Sequence, residues 1–152
     1  MTIDYKKKYL KYKTKYVEAK KVKNQKKIVG GDLKIETELN QIIGDMKIDN
    51  TSFESFVKNS NENILVIVYA HWCNHCVNMI RNIGQHLKSD VNRERVKYLD
   101  GTKLTEELKE KLEVRGFPTI LKISNSNNID NLNKKHYRGQ REGVQMIEFL
   151  NE

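Results

Sequence analysis

The chain has 152 residues, 38% apolar and 32% charged with a single proline, which is room for one domain of ordinary size and a tail. Its net charge of +8 is unevenly spread: residues 1–27 hold eleven lysines against Asp4 and Glu18, a net of +9, while residues 28–152 hold 17 basic and 18 acidic side chains, a net of −1. The basic character belongs to a tail, which argues against a domain whose whole surface grips nucleic acid. No run approaches the ~20 apolar residues of a membrane span, and lysine recurs too often near the start for the ~7–15-residue apolar stretch of a secretory signal.

Residues 4–27 read as a helix. Tyr5, Tyr9, Tyr12, Tyr16 and Ala19 follow a 4-3-4-3 spacing along one face, and lysines fill the others. Gly30-Gly31 ends it. The expected organisation is a basic leader (1–27), a linker (28–44) that includes a short helix over 33–44, and a domain from Asp45 to Glu152. That domain is long enough to bury a core.

Within it, Met46–Ile48 is expected as a short edge strand. Thr51 or Ser52 is expected to cap a helix through Val57. Ile64–Ala70 (ILVIVYA) is the longest apolar stretch, β-branched and without alternation, as in a strand buried on both faces. A helix over Cys76–Lys88 follows, then a strand at Arg95–Leu99 and an amphipathic helix at Thr105–Leu112. Thr119–Ser124 and Lys134–Arg138 form a hairpin across a turn-rich stretch. Gly143–Leu150 closes the chain as a helix with Val144, Ile147 and Leu150 inward. The alternation predicts an α/β fold, a mixed sheet covered by helices on both faces.

The chemistry sits in His71-Trp72-Cys73-Asn74-His75-Cys76, between the buried strand and a helix. Two cysteines three apart make no disulfide framework, and their bridge would close a tiny loop of little stabilising value. A helix that opens at Cys73 aims unpaired backbone N–H groups at its sulfur and favours the thiolate. Free cysteine titrates near ~8.5, and such positions fall to ~3.5–7.5. Cys76, one turn later on the same face, is placed to resolve a mixed disulfide, as thiol–disulfide exchange requires. His75 as imidazolium would stabilise the Cys73 thiolate and make the pair more oxidising. Trp72 reads as a shield over the sulfur, a partner contact or core packing.

Residues 64–76 resemble the active-site strand and motif of the thioredoxin superfamily, and Cys-x-His-Cys is similar to its protein disulfide isomerase branch. Val114-Arg115-Gly116-Phe117-Pro118-Thr119 resembles the family's cis-proline loop. Tyr137-x-Gly139-x-Arg141-Glu142 resembles the stretch before the branch's last helix. The resemblance covers about residues 45–152. It implies a thioredoxin fold, a redox-active Cys73–Cys76 disulfide, and a cis Pro118 facing the cysteines. It also implies a Phe117 backbone that pairs with the substrate chain, and an Arg141 that swings toward Cys76 and lowers its pKa. Three positions depart from the pattern: Ile67 stands where the family buries an acid, Val77 where a lysine follows the second cysteine, and Arg81 about where a proline kinks the helix. Losing the acid puts fast deprotonation of Cys76 in question. The leader, TIDYKKKYLKYKTKYVEAKK, resembles the Lys/Tyr-rich starts of proteins of mimivirus-like giant DNA viruses. That resemblance implies the host cytoplasm or the virion as location.

The expected activity is a thiol–disulfide oxidoreductase acting on protein cysteines, with no organic cofactor and no metal. Residues 4–23 are expected to serve helix-mediated self-association or contact with an anionic surface. Two alternatives stay open. One is a non-catalytic thioredoxin-like module anchored by the leader; the other is metal delivery through His71, Cys73 and Cys76.

Overall fold

The computed structural model describes residues 33–87, 91–124 and 128–152. The leader and its tyrosine stripe lie outside the described residues. A compact unit runs from Glu36 to Glu152. It therefore begins before Asp45: helix α1 (33–43) sends Leu39 and Ile43 into the core, although the sequence places this stretch in a linker.

The sheet is built from β1 (Ile64–Tyr69), β2 (Val96–Asp100), β3 (Thr119–Ile123) and β4 (Lys134–His136) in the order β2-β1-β3-β4. All six residues of β1 are buried, which is why its sequence does not alternate. β1 runs parallel to β2, and the crossover that a parallel pair requires contains helix α3 (Asn74–His86). β3 runs antiparallel to β1, as β4 does to β3. The expected edge strand at Met46–Ile48 shrinks to one bridge, Lys47 to Tyr98, because residues 44–46 wind into a 3₁₀ turn.

Helix α2 (Asn50–Asn59) is capped by Asp49, whose carboxylate accepts from the Ser52 amide at 2.8 Å; neither Thr51 nor Ser52 is the cap. An ionised carboxylate is the stronger acceptor there. Helix α4 (Glu106–Lys111) is capped by Thr105. On one sheet face Val66 and Val68 meet Phe53, Val57, Leu108 and Leu121. The residues between them point to the other face, where α3 and α5 (Gly143–Asn151) pack together. In α5 the inward set is Met146, Ile147, Phe149 and Leu150; Val144 is 54% exposed, contrary to expectation. Gly84 of α3 faces α1, and a Cβ there would lie 2.2 Å from the Cγ2 of Ile42.

Ile43 is fully buried, so Ile43→Ala is expected to lower unfolding free energy in urea by about 2–5 kcal/mol. A loss below ~1 kcal/mol would show that α1 is not part of the core.

Candidate active site

The register of the sheet assembles the site. Val68 pairs with Thr119 across β1 and β3, so the strand that ends at Tyr69 stops beside the loop that ends at Pro118. Pro118 has no N–H to give the ladder, and β3 starts at the next residue. The Phe117–Pro118 peptide is cis, as the resemblance implies. Thr119 Oγ1 donates to the Gly116 carbonyl at 2.7 Å and closes the loop from below.

Cys73 is the N-cap of α3, whose first residue, Asn74, lies two ahead of the expected helix start at Cys76. Its sulfur takes the place of the side-chain oxygen that usually caps. The Cys76 amide donates to Cys73 Sγ at 3.2 Å, and the Cys73 thiol donates to the Phe117 carbonyl at 3.6 Å. The Cys73 amide is itself tied to the Ala70 carbonyl at 3.1 Å. Strand end, helix start and proline loop thus meet on one residue, the last two of them on its sulfur. Both cysteines are free thiols. Both cysteines are buried, Cys76 completely and Cys73 with 8% of its surface left exposed.

Burial pushes the Cys76 thiol up to about 12, helped by the hydrogen bond with Cys73; the Ala70 backbone and the Arg141 charge pull the other way. The Arg141 charge is the weakest of these influences, and burial outweighs it. Ile67, at the position where an acid was expected to be missing, is fully buried in β1. Trp72 is 59% exposed, which removes the core-packing reading; its ring meets Phe117 edge-on at 5.7 Å. Trp72, Phe117 and Pro118 are therefore gathered beside Cys73. His75 is exposed in the first turn of α3 and makes no hydrogen bond or ion pair among the described residues. His71, Cys73 and Cys76 do not form a metal-holding cluster, and no group of three or more His, Cys, Asp or Glu does so among the described residues.

One contributor was not foreseen. Gly101, just past β2, donates its amide to the Tyr69 carbonyl at 2.7 Å and lets the Phe117 ring approach: a Cβ there would lie 2.0 Å from Phe117 Cε1. A strand-ending Asp-Gly was the sequence signal available.

A family model, Thioredoxin, matches residues 45–152. The chain belongs to the thioredoxin family. Within that family its curated relatives are of the disulfide isomerase type. It is 31% identical over 102 residues to probable protein disulfide-isomerase A4 of Caenorhabditis elegans, covering 65% of this chain and 15% of that protein. It is 32% identical over 104 residues to protein disulfide isomerase-like 1-2 of Oryza sativa subsp. japonica, covering 66% and 19%. The chain thus spans less than a fifth of the length of either relative. The first thioredoxin domain of mouse protein disulfide-isomerase A4 shares the fold, with a TM-score of 0.54 at 24% identity over 69% of this chain and 71% of that one. The described helices include none long and apolar enough to cross a membrane.

Two outcomes follow for this thioredoxin domain. In Cys73→Ser, burial still holds the Cys76 proton, so iodoacetamide at pH 8 is expected to modify Cys76 at least about a hundredfold more slowly than free cysteine. Its rate should climb as pH approaches about 12; a plateau near pH 9 would contradict the burial argument. Gly101→Ala is expected to displace the Phe117 ring, and near-ultraviolet circular dichroism of Trp72 should change while the far-ultraviolet spectrum does not.

Proposed function

We propose that this domain is a thiol–disulfide oxidoreductase acting on protein cysteines through Cys73 and Cys76. The observation that carries the reading is the placement of the two sulfurs: Cys73 caps a helix and keeps a small remnant of exposure, and Cys76 is fully sealed one turn further on. Family membership supports the same reading.

In the reducing direction, the Cys73 thiolate attacks one sulfur of a client disulfide. A new S–S bond joins Cys73 to the client, and the other client sulfur leaves as thiolate. Cys76 then gives up its proton and attacks Cys73, expelling the second client thiolate. The client gains two electrons, and the pair becomes the Cys73–Cys76 disulfide. The Cys76 amide remains a donor to the Cys73 sulfur after the thiol proton has left. Phe117 offers backbone to an extended client beside the reacting sulfur, and Trp72 covers the other side. Arg141 aids the second step by favouring ionised Cys76. His75 is placed at the surface of the same turn, where an imidazolium would favour the Cys73 anion. No organic cofactor enters, since the thiols carry the electrons.

The second step is the slow one. Cys76 must ionise from about 12, and buried Ile67 stands where the resemblance implies an acid. The same observation favours a second reading, a non-catalytic binding module of the family. Location in host cytoplasm or virion rests on the resemblance of residues 2–21 alone, and the proposed self-association or anionic-surface contact of residues 4–23 rests on their tyrosine stripe and interleaved lysines.

Insulin reduction with dithiothreitol separates the readings. Wild type is expected to exceed Cys73→Ser by at least about tenfold, and Cys76→Ser is expected to accumulate a client mixed disulfide on Cys73. Equal rates for wild type and Cys73→Ser would leave only the binding module. Ile67→Glu is expected to speed resolution in the active protein, by about tenfold. No change in Ile67→Glu would show that proton removal from Cys76 does not limit turnover.

A further inference from the structure

Beside the proline loop lies a cavity of about 400 Å³ walled by Phe117 and Pro118 and by Arg115, Glu113, His136 and Arg138. Its carboxylate is already satisfied. Glu113 is held by Lys134 at 3.2 Å, which draws its carboxyl below the usual range, and the His136 ring lies 3.4 Å away. The two guanidiniums are not so matched. Arg115 and Arg138 are exposed, and neither has an ion-pair partner among the described residues. Arg138 is nonetheless presented from a fixed base: the preceding Tyr137 amide donates to the Ile120 carbonyl at 2.8 Å, extending the β3–β4 pairing.

The cavity adjoins the dithiol through one shared residue. Phe117 is its wall, and the carbonyl of that same residue is 3.6 Å from Cys73 Sγ. A client whose sulfur reaches Cys73 must lead one side of its chain over this cavity. Arg115 shares the Glu113 carboxylate at a distance with Lys134 and His136, so the cavity carries a net positive charge on a domain whose described part is otherwise close to neutral. We infer that the Arg115–Arg138 cavity selects client segments bearing carboxylates within a few residues of the reacting cysteine. This inference rests on the oxidoreductase reading for its client, but the anion capture itself needs no redox step.

That independence shapes the test. Two short fluorescent peptides of equal length, with serine at the cysteine position, carry glutamates or lysines on either side. Their binding to the full chain and to Arg115→Ala/Arg138→Ala is read by polarisation. The lysine-rich leader is common to both proteins, so the difference between them reports the cavity. The acidic peptide is expected to bind wild type about tenfold more tightly than the double variant, a difference that shrinks as salt rises. The lysine peptide should not distinguish the two proteins. Equal affinity of the acidic peptide for both proteins overturns the inference. A neutral disulfide, bis(2-hydroxyethyl) disulfide, is then offered to wild type: inertness there defeats the oxidoreductase reading and leaves the binding result standing.

Discussion

Everything distinctive about this domain depends on one sulfur serving as a helix cap. Capping positions ordinarily carry an oxygen that accepts from an orphan amide. Here Cys73 Sγ accepts from the Cys76 amide at 3.2 Å, and its own thiol reaches the Phe117 carbonyl. The arrangement fixes the sulfur between the helix start and the proline loop. A cap of serine would stabilise the helix as well but would have no electrons to exchange.

The rest of the fold supplies the coordinates of that cap. An antiparallel β1–β3 register sets the start of β3 level with the end of β1. The parallel β1–β2 pair demands a crossover, and α3 begins that crossover directly above the strand end. Gly101 clears the space in which Phe117 lies against β1 and β2. The chemical cost of burial falls on Cys76, which is pushed up to about 12 without a neighbouring carboxylate to relieve it. That imbalance divides the proposed enzyme from a simple binding module of the same family.

Much of this was legible in the sequence because the signals were local. A β-branched run without polar alternation marks β1, and the only proline stands one residue before β3. The two cysteines sit where strand periodicity gives way to helical spacing. What escaped was set by tertiary contact. Residues 33–43 read as a linker helix, and only tertiary contact shows that Leu39 and Ile43 enter the core. Val144 fits an inward helical stripe, but α5 turns Met146 and Phe149 to the sheet instead. The Arg115–Arg138 cavity joins residues from the proline loop and from beyond β4, a pairing no spacing rule encodes. Asp49 was readable and was passed over for the hydroxyls that follow it.

The claim that the two sulfurs form one redox couple is tested most directly by equilibrating the protein in glutathione buffers of graded potential. Acid-trapped thiols are then counted by mass after alkylation. The account predicts a single two-electron transition between the dithiol and an internal Cys73–Cys76 disulfide, with little glutathione adduct at any potential. A transition that stops at glutathione on Cys73 with Cys76 still a thiol, or no transition at all, would contradict it.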